Sequence, residues 1–463
     1  MNNSTSDGTR TSRIVIVVIS LILIIGLTAF AMVLALGDTT GEMLTREEIL
    51  ANIEEYGEED RGHNYVASYL TDLGVGSFQA DRFRNAEVYF ENLYVGEMPK
   101  KNVHAVATAE LFLDNFYDEI DLTDRKAVTT ALIKCYVAAS GDPYAVYRSP
   151  EEFTEFDDDM SGEFVGIGVL VQDKFVEGTY DIESVYVLNV FPGSGADAAG
   201  IKKGDYITAV DGVPVTEFNG DNIATAMRGE EGTTVDITVL RGETELTLTC
   251  TRSKVEEITA SHTIEDGIGY ITITSFKANT AEQFGASLSA VKLAGVKGIV
   301  FDLRNNPGGY LDSVIEIISM LVPEGTRVVS YTDSLSGEVI YKAEGGTKLN
   351  VPIVVLCNEY SASAAELFTS AMRDYDDMGI LDVTIVGKNT YGKGVMQSTF
   401  PLPDGGYLTL TMAYYNPPSD VNYDGVGIAP DVEVEPSELG DVQLDMATTL
   451  IKKMIADSGK LVA

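Results

Sequence analysis

Apolar residues recur along this chain with two different spacings, which separate helical regions from strand-forming ones. From residue 45 to about residue 150 the spacing is helical, as in VHAVATAELFLDNFYDEI and RKAVTTALIKCYVAAS. From there to residue 253, short apolar runs bounded by glycine predict strands around one helix, DNIATAMRG. The pattern therefore predicts a helical region at residues 43–155 and a strand-rich domain at residues 163–253.

Strands and helices alternate in the next region, residues 254–435. The runs IGYITITSF, VKGIVFDLR and VPIVVL are typical of buried strands, and the helical segments TAEQFGASLSAVKLA and LDSVIEIISML lie between them. Such alternation indicates an α/β core with parallel strands. One more helix, DVQLDMATTLIKKMI, is predicted within residues 436–463 and is expected to pack on that core.

The N-terminal region contains a run of twenty-three residues without a charge, residues 14–36, long enough to cross a membrane. Two arginines precede the run and acidic residues follow it, so the positive-inside rule predicts a cytoplasmic tail at residues 1–13 and an extracytoplasmic location for the rest. A cleaved signal peptide is the alternative, because Ala29-Phe30-Ala31 has the small-x-small pattern of a cleavage site. The length of the apolar run favours an uncleaved anchor.

Composition narrows the classes of function. The 463 residues leave room for two to three domains, and a formal net charge of −39 argues against nucleic-acid binding. Cys135, Cys250 and Cys357 are odd in number and widely spaced, so neither a disulfide framework nor a metal site is indicated. We therefore expect no metal and no cofactor, and Cys357 is expected in the core.

The candidate chemistry lies between residues 351 and 397. VPIVVL followed by NEYSASAAELFTSAM predicts a strand, a sharp turn and a helix, which places Ser363 at a helix N-terminus, where free N–H groups stabilise negative charge. TYGKGVMQ follows about thirty residues later. Because the three histidines, His63, His104 and His262, are distant in sequence, we favour Lys393, bracketed by two glycines, as the base that activates a serine nucleophile.

A lysine base acts in its neutral form, which burial against Val395 and Met396 would favour. Gln397 follows Lys393 by four residues and lies on the same face in either a strand or a helix, so its amide can orient the amine without adding negative charge. Each motif also has a purely structural interpretation: SAAE as a capping box, NNPGG as a turn and GKG as a hairpin. Their joint occurrence in this order favours the catalytic interpretation.

Three motifs, FDLRNNPGG at residues 301–309, SASAAE at residues 361–366 and YGKGVMQ at residues 391–397, resemble those of the C-terminal processing peptidases, also called tail-specific proteases. The resemblance extends over nearly everything after about residue 85. It implies a serine nucleophile, a lysine base and a glutamine that completes the triad: Ser363, Lys393 and Gln397. For the oxyanion hole it implies backbone N–H groups of Ala364 and of one of two glycines, Gly308 or Gly309.

The resemblance also implies a fold and a mode of substrate binding. It implies a Clp-protease/crotonase-like core with an inserted PDZ domain, and FVGIGVLVQ through TTVDITVLRG looks like that domain. There, FVGIG corresponds to the carboxylate-binding loop, so Gly166, Ile167 and Gly168 are candidates to bind a peptide C-terminus, while the adjoining strand adds the peptide by β-augmentation. The N-terminal helical region of this family can mediate dimerisation, so a homodimer is expected.

One departure from the family concerns the spacing between the serine and the lysine, which is several residues longer than usual. The excess falls in DYDDMGILD, residues 374–382, which is predicted to be a lengthened surface loop between a helix and a strand. This loop could alter the entry of substrate. We also expect no wall-binding domain after the last helix.

The sequence therefore predicts a membrane-anchored, extracytoplasmic serine endopeptidase that recognises C-terminal tails through its PDZ domain and cleaves proteins near the C-terminus. The expected partners are protein or peptide substrates with exposed C-termini, the membrane and a second copy of the chain. Two alternatives stay open: a catalytically idle PDZ scaffold that gathers C-terminal tails at the membrane, and a hydrolase of non-peptide acyl substrates built on the same core.

Overall fold

The computed structural model describes residues 77–99, parts of the stretch 104–121, and residues 124–461 except 176–181, 219, 334, 347, 404 and 438. The predicted cytoplasmic tail and membrane anchor, residues 1–36, lie outside the described residues. Within the described part of the chain, no helix combines the length and the apolar character needed to span a membrane.

The alternating strands and helices predicted for residues 254–435 are present, and the structure adds a pair of strands within residues 327–342. The helices assigned in the described residues are α1 (Ser77–Leu93), α2 (Arg125–Ala138), α3 (Pro150–Ser161), α4 (Gly195–Ala199), α5 (Gly220–Met227), α6 (Thr280–Leu293), α7 (Leu311–Ser319), α8 (Ala364–Asp377) and α9 (Val442–Leu461). The strands are β1 (Val146–Arg148), β2 (Glu163–Gly166), β3 (Val169–Phe175), β4 (Ile182–Val190), β5 (Tyr206–Val210), β6 (Val213–Pro214), β7 (Thr234–Arg241), β8 (Thr244–Thr251), β9 (Ser253–Glu256), β10 (Ala260–Glu265), β11 (Ile268–Ile273), β12 (Gly298–Asp302), β13 (Arg327–Asp333), β14 (Gly337–Lys342), β15 (Ile353–Cys357), β16 (Val383–Gly387), β17 (Val395–Pro401), β18 (Tyr407–Asn416) and β19 (Val432–Glu433).

The chain divides into two compact units. The first contains the described residues up to Glu155 together with residues 325–343 and 391–428. The second contains residues 156–324, 344–390 and 429–463. Each unit is built around its own sheet, and the PDZ-like strands belong to the second.

An antiparallel sheet forms the centre of the first unit. Its order is β1-β18-β13-β14, and β17 also pairs with β18. The run YLTLTMAYYN is almost continuously buried because β18 lies inside this sheet. The register between β17 and β18 shifts by a bulge between Met396 and Gln397, and from there Gln397 lies opposite Thr411. A bulge commonly re-aims a side chain, here that of Gln397.

The core of the second unit is a six-stranded sheet with the order β10-β11-β12-β15-β16-β19. Only the first pair, β10 with β11, is antiparallel, and the others are parallel, as the alternation of strands and helices predicts. Helix α9 packs its Ala447 and Ile451 against the sheet residues Ile268, Val300 and Val354. Elsewhere in the core, the ring of Phe301 contacts those of Phe284 and Phe368, which joins β12 to α6 and α8.

The PDZ-like strands form a separate sheet within the second unit. Its order is β3-β4-β5-β7-β8, with β6 paired to β5, so β3 lies at an edge. Strands β2 and β9 pair with each other at the base of this domain, where Glu163 lies opposite Glu256. Lys277 of the core fastens that base through Asp159 at 2.8 Å and Glu257 at 2.7 Å.

Part of the predicted surface loop at residues 374–382 is helical, so the loop prediction was wrong for its first half. Helix α8 continues to Asp377, and Asp374 and Tyr375 are buried. Tyr375 falls one helical turn after the buried Ala371 and continues the apolar face of the helix. Three acidic neighbours obscured this in the sequence, where D-Y-D-D has the composition of a solvated loop.

Candidate active site

Ser363 occupies a strained turn between the buried strand β15 and helix α8. Its backbone has φ 55° and ψ −115°, a region that residues other than glycine rarely adopt. Such a conformation costs about 1–3 kcal/mol and persists only where the surroundings enforce it. A sharp strand-to-helix turn of this kind is how several hydrolases present a nucleophilic serine at a helix N-terminus.

Glu366 is the residue that enforces this turn. Its side chain is completely buried, Oε2 accepts the Ser363 N–H at 2.9 Å, and Oε1 accepts the Thr390 hydroxyl at 2.6 Å. The capping box considered as a structural alternative is therefore present, and it also reaches Thr390, three residues before Lys393. The capping and the catalytic interpretations of SAAE are compatible, because the cap fixes the backbone of the candidate nucleophile.

Gly308 lies directly against the turn of Ser363. A side-chain Cβ added at Gly308 would lie 2.7 Å from Ala362 O, 2.8 Å from Ser363 Cβ and 2.9 Å from Ala364 N. The backbone φ of +99° at Gly308 also favours glycine. The second unit thus brings together Ser363, Ala364 and the glycine pair.

The two glycines differ in what their N–H groups contact. The Gly308 N–H donates to Asn306 Oδ1 at 2.8 Å. The Gly308 carbonyl accepts the Phe276 N–H at 2.8 Å, and in a trans peptide the next N–H points the opposite way. The Gly309 N–H is therefore turned away from Phe276. These contacts favour Gly309 over Gly308 as the second oxyanion donor, which stays a prediction.

Further hydrogen bonds hold the glycine loop against the serine turn. Ala362 donates its N–H to Asn306 O at 2.9 Å, and the Ser361 hydroxyl donates to Leu303 O at 2.8 Å. Asn306 is completely buried, and its amide donates to Ile273 O at 2.9 Å. The loop is thereby tied both to the turn of Ser363 and to the sheet.

Lys393 lies in the first unit with Gln397. Lys393 Nζ donates to Gln397 Oε1 at 2.7 Å, and Gln397 Nε2 donates to the carbonyl of Tyr144 at 2.6 Å. The Lys393 Nζ also lies 4.5 Å from the centroid of the Tyr144 ring. The predicted pairing of lysine and glutamine is present, with Gln397 directing its oxygen at the amine as expected.

The glycines beside Lys393 permit close approach of another backbone segment, residues 422–427. The Gly394 N–H donates to Asp424 Oδ1 at 3.0 Å, and the Gly425 N–H donates to Gly392 O at 2.9 Å. A Cβ at Gly394 would lie 2.7 Å from Asp424 N. The GKG motif is therefore a tightly packed loop that fixes the backbone of the lysine.

Comparison with known proteins agrees with this geometry. The description of peptidase family S41 matches residues 267–434, which include the serine turn, the glycine loop and the lysine motif, and that of the PDZ domain matches residues 164–251. Residues 267–434 of the chain belong to peptidase family S41. A protein of Staphylococcus haemolyticus (strain JCSC1435), named "Probable CtpA-like serine protease", is 33% identical over 309 residues, 66% of this chain and 60% of the relative.

A second relative with the same name, from Staphylococcus aureus (strain bovine RF122 / ET3-1), is 32% identical over 336 residues, 72% of this chain and 65% of the relative. This S41 chain thus spans less than two thirds of the length of these curated relatives. A crystal structure from Bacteroides fragilis NCTC 9343 that is named as an S41 protease superposes with a TM-score of 0.51 at 17% identity, covering 80% of this chain and 96% of that one. That likeness shows the fold.

In the S41 chain the predicted carboxylate-binding loop has its carbonyls turned into the PDZ domain. Ile167 is buried, its carbonyl accepts the Ala196 N–H at 2.8 Å, and that of Gly168 accepts the Phe191 N–H at 3.0 Å. Gly168 has φ +79°, and a Cβ there would lie 2.3 Å from that of Ser194. The loop precedes the edge strand β3, and peptide binding by Gly166, Ile167 and Gly168 stays a prediction.

Cys357 is a second residue of a nucleophilic type close to Ser363 in the sequence. Cys357 ends β15, six residues before Ser363, and burial raises the pKa of its thiol to about 12, so it is a core residue rather than a competing thiolate. Among the described residues, no group of three or more His, Cys, Asp or Glu side chains is arranged to hold a metal ion.

Sequence reasoning missed the residues that support the site from a distance. Tyr144 lies in the stretch DPYAVYR and contacts both Lys393 and Gln397. Thr390 and Asn306 were likewise not singled out. Asp-Pro-Tyr is a local turn signal, and nothing in it indicates which remote side chain the tyrosine meets.

Proposed function

We propose that this S41 chain is a serine endopeptidase that attacks the scissile carbonyl with Ser363. The observation that carries the proposal is the strained backbone of Ser363 at the N-terminus of α8, held by the buried Glu366 and packed against Gly308. A structural cap alone does not require that strain, whereas a presented nucleophile does.

In the proposed mechanism Lys393 takes the proton from Ser363 Oγ as the Oγ–carbon bond forms, and returns it to the leaving amine. Gln397 orients the amine, and the N–H groups of Ala364 and Gly309 stabilise the oxyanion. Water then hydrolyses the acyl-enzyme by the reverse proton path. This mechanism requires a hydrogen bond between Lys393 Nζ and Ser363 Oγ in the working enzyme.

The proposed substrates are proteins with exposed C-terminal tails, which the enzyme cleaves near the C-terminus. The PDZ domain supports this substrate class because its strand β3 lies at a sheet edge directly after the Gly166–Gly168 loop, the arrangement that β-augmentation uses. A free carboxylate would bind the N–H groups of that loop. The strand would add the preceding residues of the tail.

We further propose that residues 14–36 anchor the enzyme in the membrane with its catalytic part outside the cytoplasm. The uncharged run and the arginines before it support this location. The proposal extends to a Clp-protease/crotonase-like fold of the core and to a homodimer formed through the N-terminal helical region, both of which rest on the family resemblance.

The test measures whether the full chain, solubilised in detergent, cleaves an unfolded protein that has a free apolar C-terminus. Ser363→Ala and Lys393→Ala are compared with Ser336→Ala and Lys292→Ala, which change exposed residues of the same types. We expect cleavage to be lost only in the first pair. A fluorogenic ester and the same protein with an amidated C-terminus serve as companion substrates.

Each outcome separates the alternatives. Cleavage that survives in Ser363→Ala overturns the nucleophile assignment. Ester hydrolysis without peptide cleavage indicates the acyl hydrolase. Binding of the tail without any cleavage by the wild-type chain indicates the PDZ scaffold.

A further inference from the structure

Tyr144 contacts both the proposed general base, Lys393, and the glutamine proposed to orient it, Gln397. The ammonium nitrogen of Lys393 lies 4.5 Å from the centroid of its ring, within the range of a cation–π contact. The carbonyl of the same residue accepts the Gln397 amide at 2.6 Å. One residue thus meets the amine with its side chain and fixes the orientation of Gln397 with its backbone.

The position of Tyr144 is in turn fixed by a buried carboxylate, that of Asp142. Asp142 is 4% exposed, its Oδ1 accepts the Tyr144 N–H and the Thr411 hydroxyl, each at 3.0 Å, and its Oδ2 accepts the Thr411 N–H at 2.8 Å. Thr411 lies opposite Gln397 in the pairing of β17 with β18. The contacts therefore form a closed circuit from Asp142 through Tyr144 and Gln397 to Thr411.

We propose that Tyr144 is a positioning residue for Lys393. The ring of Tyr144 stabilises the ammonium that forms when the lysine takes the serine proton. This inference rests on the proposed function. In that step the Oγ–H bond of Ser363 breaks, an N–H bond forms on Lys393, and the freed electron pair on Oγ attacks the scissile carbonyl. The charge then created lies against the face of the Tyr144 ring and the oxygen of Gln397.

Three ionisable groups that bond close to Lys393 contact backbone atoms. Asp424 accepts the Gly394 N–H, Asp142 accepts N–H groups of Tyr144 and Thr411, and the Tyr415 hydroxyl donates to the Lys393 carbonyl at 3.1 Å. Each of these groups contacts backbone, whereas the ring of Tyr144 contacts the amine. Varying the electron density of the Tyr144 ring therefore tests whether that ring stabilises the charged form of Lys393.

The test changes the electron density of the ring at position 144 while keeping its shape, and compares this with loss of the ring. Tyr144→Phe keeps the π face, and incorporation of mono-, di- and trifluorophenylalanine at position 144 withdraws electrons from it step by step. Tyr144→Leu removes the ring, and Tyr341→Leu is the matched control in strand β14. The measurements are kcat and KM against pH, and the titration of the Lys393 side chain by NMR of ¹³C-labelled lysine.

We expect Tyr144→Phe, which keeps the ring face, to retain more activity than Tyr144→Leu, which removes it. The fluorinated series should lower kcat progressively, by roughly 3- to 30-fold in total, with KM nearly constant. Because the ring favours only the charged lysine, its loss should move both the acidic limb of the pH profile and the NMR titration midpoint of Lys393 to lower pH.

A merely structural role predicts equal activity and an unmoved titration midpoint across the fluorinated series, and that result overturns the inference. The NMR readout does not depend on catalysis. A midpoint that moves in a chain that cleaves nothing supports the contact with Lys393 and refutes the proposed function instead. A midpoint that stays fixed in an active chain refutes the role of Tyr144 alone.

Discussion

Replacing Glu366 with alanine removes a buried side chain that accepts a hydrogen bond from the backbone of Ser363. Two donors lose their acceptor, the Ser363 N–H and the Thr390 hydroxyl. The Glu366 side chain that accepts from them is fully shielded from solvent. A hydrogen bond to a charged group contributes about 1.5–3 kcal/mol. Relief of the buried carboxylate offsets part of that loss, so we expect Glu366→Ala to lower the free energy of unfolding by about 2–5 kcal/mol.

The effect on catalysis follows from the strained turn. Without the Glu366 bond, Ser363 can relax from its positive φ, which releases about 1–3 kcal/mol and withdraws the hydroxyl from the reactive position. The corresponding fall in kcat/KM is about 5- to 160-fold. Glu366→Gln should be milder, because its oxygen can still accept the Ser363 N–H while the Thr390 hydroxyl rotates and accepts from the new amide.

The assay combines urea unfolding with peptide cleavage for both variants. Glu282→Ala is the matched control, since Glu282 is also in the first turn of a helix, α6, but is exposed. The control should behave as the wild type. Unchanged stability and kcat/KM in Glu366→Ala would refute the assignment of Glu366 as the residue that holds Ser363 in place.

Three further predictions concern other parts of the chain. Gly308→Ala should be destabilised by about 2–5 kcal/mol, because its Cβ would lie 2.7 Å from Ala362 O, whereas Gly325→Ala, which has a similar φ in open space, should lose only about 1–2 kcal/mol; equal thermal midpoints would contradict this. A hydrogen bond from Arg241 lowers the pKa of Asp205 below its unfolded value of 3.8, so the stability that this carboxylate contributes is present above pH 3.8 and is lost as the pH falls below it. The urea midpoint of the wild type should therefore exceed that of Asp205→Asn by less at pH 3 than at pH 5. A constant difference would count against the ion pair. The three cysteines are buried, and burial raises their pKa values to about 11 or 12, so a thiol reagent at pH 8 should label none in the folded chain and all three in urea; rapid labelling without urea would show that one is accessible.

Local sequence patterns were sufficient for elements whose signal lies within a short stretch. The run VPIVVL predicted β15, and SASAAE predicted the turn and helix that place Ser363 at an N-terminus, as the structure has them. Gln397 was paired with Lys393 from a spacing of four residues, and the hydrogen bond is present. These predictions succeeded because the interacting groups are neighbours in the chain.

Contacts set by tertiary pairing left no such signal. The carbonyl of Tyr144 meets Gln397 across 253 residues, and a backbone carbonyl has no identity that a sequence could reveal. The difference between Gly308 and Gly309 likewise depends on Phe276, whose backbone hydrogen bonds orient the loop. Tyr375 extended a helix that its acidic neighbours seemed to end, because burial of one ring outweighed their preference for water.

The pairing of β2 with β9 has a consequence for the modularity of the chain. Because Glu163 lies opposite Glu256, the polypeptide leaves the core and returns to it at points about 5 Å apart. An insertion with adjacent ends can be lengthened, exchanged or reduced to a hairpin turn without separating the strands of its host. Lys277 forms ion pairs with Asp159 and Glu257, which flank the two ends of the inserted segment. A domain inserted in its place would keep this point of attachment to the core.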